Sequence, residues 1–409
     1  MLGEAAKLNQ SNIPHLLVPW GLYSVFRTLN FLNKDCSMAH GHLSRASIFV
    51  TEAGEWKLGG LELCSAAADA DAALVKCYRL WNRMYLPPET VKVSVPSPHS
   101  FLVEYPPATL DAWGAGCLIY EVFNGVLHKQ EDLARLQAIP PSLSNQFKKM
   151  LHNNPQRRLH VGQALEDPYF DTEIVRIGLF LSELALKDVD EKVQFFSHLQ
   201  NLSGLPPQFS KHKLIPELLK IMEFGGVATV VVPTLIQLSN CLSRDEFDRL
   251  IMPALTRCFS SSDRSMRLGL LNSLESYVDH LDSATIEKQI LPSVLLGFGD
   301  TVAAVREVTV KSMVLFVPKL KPQTIVDSVL KHFAASQSDA EPTIRCNATI
   351  AVAKCASYLP ESVRDKVIVS SMQKALKDPY PRARCAGVIV WHVAGLCVCD
   401  MSHGCVRDM

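Results

Sequence analysis

The chain has 409 residues, 48% of them hydrophobic, with 41 basic residues against 41 acidic ones. That length supports two to three domains and excludes a wholly disordered protein, and the zero net charge removes the broad field that non-specific nucleic-acid or anionic-membrane binding needs. No apolar run approaches the roughly 18 residues of a spanning helix: the longest, 225–238 and 388–399, are interrupted by Pro233 and His392. The first nineteen residues mix Glu4, Lys7, Asn9 and Gln10 into apolar positions, unlike a secretory signal, and the 12 cysteines scatter without a Cys-x-x-Cys pair. They read as reduced thiols, and the chain as cytoplasmic, without a membrane span.

From the N-terminus, residues 16–32 are apolar at helical spacing (Leu17, Trp20, Leu22, Val25, Phe26, Leu29) and lead into His40-Gly41-His42-Leu43-Ser-Arg-Ala-Ser47. Next come Gly54-Glu-Trp-Lys-Leu-Gly-Gly60-Leu61-Glu62, Tyr85-Leu-Pro87-Pro88-Glu89 and Asp111-Ala-Trp113-Gly-Ala-Gly. Asn154-Pro-Gln-Arg-Arg158 and Asp167-Pro168-Tyr169-Phe170 close the series. In this order the stretches resemble the catalytic loop, metal-binding strand, Ala-Pro-Glu and later helices of a protein-kinase C-lobe. About fifteen residues precede the first helix, too few for a five-stranded N-lobe, and no glycine-rich phosphate loop occurs there.

The resemblance assigns each position a chemical task. Phosphoryl transfer needs an Asp to take the substrate's proton and an Asn and a second Asp to hold magnesium. The His-Arg-Asp positions read His40, Gly41 and His42, the Asn position is Ser47, and the Asp-Phe-Gly triplet reads Gly60, Leu61 and Glu62. No catalytic residue, cofactor, metal or small-molecule substrate is therefore expected. The alternative, an atypical ATP-binding serine/threonine kinase, would need His42 as base and Glu62 as a displaced ligand. Three positions that hold the family's fold do match: Glu89 and Arg158, its buried salt bridge, and Asp111, which ties the catalytic-loop backbone.

From about residue 210 the sequence repeats. Arg267, Arg306, Arg345 and Arg384 stand 39 residues apart, and Asp300, Asp339 and Asp378 precede the last three by six. Pro253 and Pro292 keep the same step in the stretch before each turn. Each unit reads as a first helix, an Asp-led turn and a second helix with the arginine near its start. This resembles the HEAT repeat, whose Asp and Arg residues form a ladder along the stack. One hairpin cannot bury its own apolar face, but stacked hairpins can.

The expected architecture is mainly α: a degenerate, mostly helical kinase C-lobe over 1–172 without its N-lobe, a HEAT-repeat α-solenoid over 173–390, and an atypical tail over 391–409. His392, Cys397, Cys399, His403 and Cys405 cluster in that tail, at spacings that fit no zinc pattern. The combination resembles the Scy-like pseudokinases, notably in 54–61, 121–125, 260–267 and 343–348. The resemblance implies a catalytically inactive scaffold, cytoplasmic and peripheral to Golgi membranes, acting with coat protein complex I in retrograde vesicle transport. In some members it implies tRNA export, which keeps a tRNA adaptor as an alternative here. Protein partners, including vesicle-coat components, would dock on the second helices. The family's basic coat-binding signal and coiled segment find no counterpart before Met409.

Overall fold

The fold of the first unit starts from a helix with one apolar face: Leu22, Val25, Phe26 and Leu29 recur at helical spacing and are fully buried in α1 (Val18–Asn30). The computed structural model describes residues 6–8, 13–66, 69, 72–77, 82–91, 106–224 and 227–393. Against α1 lies an antiparallel sheet of β1 (Ala6–Lys7), β3 (Ile48–Val50) and β4 (Trp56–Leu58), with Ala6 opposite Val50 and Phe49 opposite Lys57. Gly21 makes this contact possible, because a Cβ there would stand 2.3 Å from the Trp56 ring. A second ribbon pairs β2 (Met38–Ala39) with β5 (Ser65–Ala66). The loop of His40 to Ser47 follows β2.

The centre of the unit is α2 (Pro107–Asn124), buried from Thr109 to Glu121 on every face. Its buried Glu121 is satisfied by the Tyr85 hydroxyl at 2.6 Å and the Leu127 N–H at 2.8 Å. Helix α3 (Pro141–Met150) adds Leu143, Phe147 and Met150 to the same core. Helix α4 (Glu173–Ser182) also belongs here: Gly178 lies so close to Trp20 that a Cβ would come within 2.6 Å of its ring.

The chain divides into residues 1–187 with 204–213, and 188–203 with 214–409. The expected division after residue 172 is thus displaced, because α4 covers apolar surface of α1 rather than opening the solenoid. The tail after 393, including Cys397, Cys399, His403 and Cys405, lies outside the described residues. Among the described residues no helix is long and apolar enough to cross a membrane.

The second unit opens with α5 (Val189–Gln200) and α6 (Ile215–Phe224), then stacks hairpins. Its second helices are α7 (Ala228–Leu238), α8 (Arg264–Asn272), α9 (Ala303–Phe316), α10 (Pro342–Cys355) and, beyond the first helix α11 (Glu361–Leu376), α12 (Pro381–Val393). Each of these second helices packs on the next, as a solenoid requires. Several first helices are interrupted. A five-residue π segment, Ile286–Ile290, precedes Pro292, and the helix breaks at Ile251 before Pro253. Proline has no N–H to donate, so the bond pattern slips there.

Between hairpins the core is apolar (Ile286, Val305, Phe316, Ile325, Phe333), with a few buried polar links such as Ser312 Oγ to the Leu271 carbonyl at 3.1 Å. The buried Gln337 amide donates to Thr349 Oγ1 at 2.9 Å and Ser371 Oγ at 2.7 Å.

Phe316 is fully buried and meets Phe259 edge to face at 6.4 Å between ring centres. Phe316→Ala is expected to destabilise the second unit by about 3–5 kcal/mol. Urea titration followed by circular dichroism should show a lowered midpoint for the solenoid transition.

Candidate functional site

The loop that follows β2 is built around Asp111, buried in the first half of α2. Its Oδ2 accepts from the His40 N–H at 2.8 Å and from Asn33 Nδ2 at 2.7 Å, and its Oδ1 accepts from the Gly41 N–H at 2.9 Å. Asn33 also donates to the Met38 carbonyl at 3.0 Å, so it clamps both ends of the turn. Periodicity alone does not single out Asn33, because it sits just past the regular part of α1.

His40 is fully buried. Its Nε2–H donates to the Gly59 carbonyl at 2.8 Å, and its Nδ1 accepts from the His42 N–H at 3.3 Å, which fixes the Nε2–H tautomer. The ring joins the loop to the β4 end. Ser47 is equally committed: its hydroxyl donates to the Ser44 carbonyl at 2.8 Å and accepts from the Ser44 N–H at 3.0 Å.

Gly60 and Gly41 both adopt left-handed backbone, with φ of 75° and 68°. A Cβ on Gly60 would fall 2.9 Å from Ser47 Cβ, and one on Gly41 would fall 2.4 Å from Leu74 Cδ1. At Gly60 the close approach of Ser47 is what opposes a side chain, since left-handed backbone is open to aspartate as well as to glycine. Leu61 is half exposed. Glu62 projects to solvent with His42 Nδ1 3.4 Å from its Oε1. Its carboxyl is held below the usual range first by its own backbone N–H and then by His42. The cleft beside this loop, lined by His42, Leu74, Tyr85, Pro87 and Asp111, encloses about 40 Å³, far below the several hundred Å³ of a typical small-molecule site.

Glu89 and Arg158 meet in a bidentate pair, Nη1 to Oε1 at 2.8 Å and Nη2 to Oε2 at 3.0 Å. The remaining donors of Arg158 reach the Thr109 carbonyl at 2.7 Å and the His152 carbonyl at 3.1 Å, and its guanidinium lies 5.2 Å from the centre of the Trp113 ring. The Arg158 side chain has no exposed surface.

In the second unit the 39-residue arginines and aspartates form rungs. Arg306 holds Asp339 with Nε at 2.7 Å and Nη2 at 2.9 Å, and Arg345 holds Asp378 at the same two distances. Each arginine also turns back: Nη1 of Arg306 donates to the Asp300 carbonyl and Nη1 of Arg345 to the Asp339 carbonyl, both at 2.9 Å. The carboxylates accept one further N–H each, from Val302, Glu341 and Tyr380, which closes the turn before the second helix.

The first rung differs. Arg267 reaches Asp300 through Nη1 alone at 3.2 Å, while Arg264 takes the other oxygen through Nε at 3.0 Å. Arg264 stands outside the 39-residue step, so a period search passes over it. The last arginine, Arg384, makes the backward bonds to the Asp378 and Pro379 carbonyls at 2.9 and 3.0 Å. It has no carboxylate partner among the described residues. There is likewise no grouping of three or more His, Cys, Asp or Glu side chains fit to hold a metal among those residues.

Residues 304–387 match the family of non-SMC mitotic condensation complex subunit 1. The chain is 36% identical to the probable inactive serine/threonine-protein kinase scy1 of Dictyostelium discoideum, over 91% of this chain and 45% of that protein. It is 28% identical to the mouse (Mus musculus) protein-associating with the carboxyl-terminal domain of ezrin, over 75% of this chain and 42% of that one. The crystal structure of Cex1p aligns at 22% identity with a TM-score of 0.48, over 91% of this chain and 70% of that one. The chain spans about half the length of the curated relatives it matches.

Glu89→Gln leaves a buried guanidinium without its counter-charge and is expected to destabilise the first unit by about 3–5 kcal/mol. Replacing both partners with apolar residues should lose less, and chemical denaturation of the two variants beside the parent chain checks the order. Bonds from Arg306 and Arg345 pull the Asp339 and Asp378 carboxyls below their ordinary value of 3.8, as the Val302 N–H does for Asp300. A pKa lowered by folding gives stability that is present above the unfolded value and lost as pH falls through the folded one. The solenoid should therefore loosen below about pH 4, and Asp339→Asn with Asp378→Asn should flatten that dependence in thermal melts taken across the acid range.

Proposed function

From the premise that this chain belongs to the Scy1-like pseudokinases, we propose that it is a catalytically silent scaffold whose solenoid binds protein partners. The observation that carries the reading is Gly60. At the position that holds magnesium in an active kinase there is no side chain, the backbone is left-handed, and Ser47 fills the adjoining space. His40 and Ser47, at two further catalytic positions, spend their polar atoms on loop structure. His42 puts an imidazole where the proton-accepting carboxylate would stand, with only the solvent-exposed Glu62 beside it.

What is retained supports folding. Glu89, Arg158 and Asp111 are the groups whose loss would leave buried charge or an untied loop. The lobe thus acts as architecture, and the working surface is the solenoid. A relative named for its association with the carboxyl-terminal domain of ezrin supports protein partners as the class. The finer reading places the protein in the cytoplasm and at the Golgi periphery, in coat-protein-complex-I vesicle transport from Golgi to endoplasmic reticulum. It rests on the family resemblance.

Titration of the full chain with ATP and magnesium or manganese in a thermal-shift assay is expected to leave the melting temperature unchanged. A saturable upward shift would overturn the silent-lobe reading. Lys311→Glu with Lys354→Glu, both exposed on second helices, should change the set of proteins that co-purify. An unchanged set would remove the second-helix surface as the docking face.

A further inference from the structure

The 39-residue step that sets Asp300, Asp339 and Asp378 places Ser261 at the head of the turn before them. Ser261 makes the aspartate's hydrogen bond without its charge. The three carboxylates accept the N–H two residues on, from Val302 at 2.9 Å, Glu341 at 2.9 Å and Tyr380 at 2.8 Å. The Ser261 hydroxyl accepts the N–H of Asp263, also two residues on, at 3.2 Å.

The cations that suit an anion at this place are present. Arg257, Arg264 and Arg267 fall within six residues of Ser261, against the single acid Asp263. They do so in a stretch that is otherwise acidic, since residues 188–203 and 214–300 carry 14 acidic against 8 basic side chains. Arg267 holds the ladder position six residues after the turn, and its Nε is buried with no hydrogen-bond partner among the described residues. In the next two turns the matching arginine spends Nε on an aspartate and Nη1 on the carbonyl of its own turn. A buried donor left without an acceptor is costly.

We propose that Ser261 is a phosphorylation site, and that its phosphate supplies by modification the anion which the later turns carry as aspartate, with Arg267 as the receiver. The donor is ATP held by a separate protein kinase. Ser261 Oγ bonds to the γ-phosphorus, the bond to the β–γ bridging oxygen breaks, ADP leaves, and the hydroxyl proton passes to that kinase's base. Ser261 is half-buried between the exposed Ser260 and Ser262. Reach is available, because Nη1 of Arg306 and of Arg345 each lies 2.9 Å from the carbonyl six residues back. A plain aspartate at 261 would find no arginine in the hairpin before it, where the ladder step falls on Ala228. A phosphate is longer and carries more charge, so it can use the arginine of its own turn. Asp263 opposes it by like charge, and the three arginines outweigh that acid. The inference goes beyond the scaffold reading and does not depend on it.

Phosphopeptide mapping of the full chain from a eukaryotic expression host tests the site, since tryptic cleavage after Arg257 and Arg264 releases 258–264 as one peptide. Phosphate is expected on Ser261 and should vanish from that position in Ser261→Ala. The full chain with genetically encoded phosphoserine at position 261 should melt about 2–4 °C above the unmodified chain. Its phosphorus NMR resonance should titrate below the ordinary second pKa of about 6, because a neighbouring guanidinium favours the dianion. Arg267→Gln should remove both effects. Arg267→Lys keeps a charge without the Nε donor and should lie between, which decides the matter if the Gln variant folds poorly. Phosphate confined to Ser260 or Ser262 would overturn the proposal. So would a titration and a melting temperature that neither Arg267 variant changes. Phosphate that appears on Ser261 with ATP and magnesium but no added kinase would support the site and overturn the silent-lobe reading instead.

Discussion

The second unit depends on an arginine that bonds in two directions. Arg345 ties its own turn by the Asp339 carbonyl and ties the next turn by the Asp378 carboxylate, so a side chain sets both the shape of one hairpin and its distance to its neighbour. A residue with only the backward bond would shape a hairpin without stacking it. Because both ends of the bond recur, the 39-residue step is a mechanical constraint and not a habit of the sequence. Inserting a residue between Asp and Arg would break two bonds in every affected rung.

The first unit uses the same logic in a different form. Asp111 and Arg158 each gather several backbone groups: two N–H groups of the loop for one, two carbonyls for the other. Around them the side chains of the loop are committed to structure. His40 bridges two strands' ends, Ser47 closes a turn, and Gly41 and Gly60 permit backbone that other residues resist. The lobe therefore has a kinase-like frame in which the polar atoms of this loop serve the loop's own structure.

Much of this was readable in the linear order. The period of Arg306, Arg345, Asp339 and Asp378 identified the rungs, because a stack repeats its electrostatics at the interval of its hairpins. The kinase-like order of short motifs located the loop and the pair Glu89 and Arg158. Three features were not readable. Asn33 acts through Asp111, a helix residue 78 positions away, and nothing local marks it. Arg264 lies off the period, so its share of Asp300 appears only in space. The assignment of α4 to the first unit follows from the fit of Gly178 to Trp20, a tertiary contact that composition cannot display.

The left-handed glycine at position 60 also bears on descent. A chain that lost its magnesium ligand by a simple side-chain exchange could regain it by one reverse mutation. Here a Cβ at position 60 would stand 2.9 Å from Ser47 Cβ, so an acid at that position also needs Ser47 to shift. An acid at position 60 and a displacement of Ser47 are thereby coupled, so a single substitution there would carry the strain of that contact.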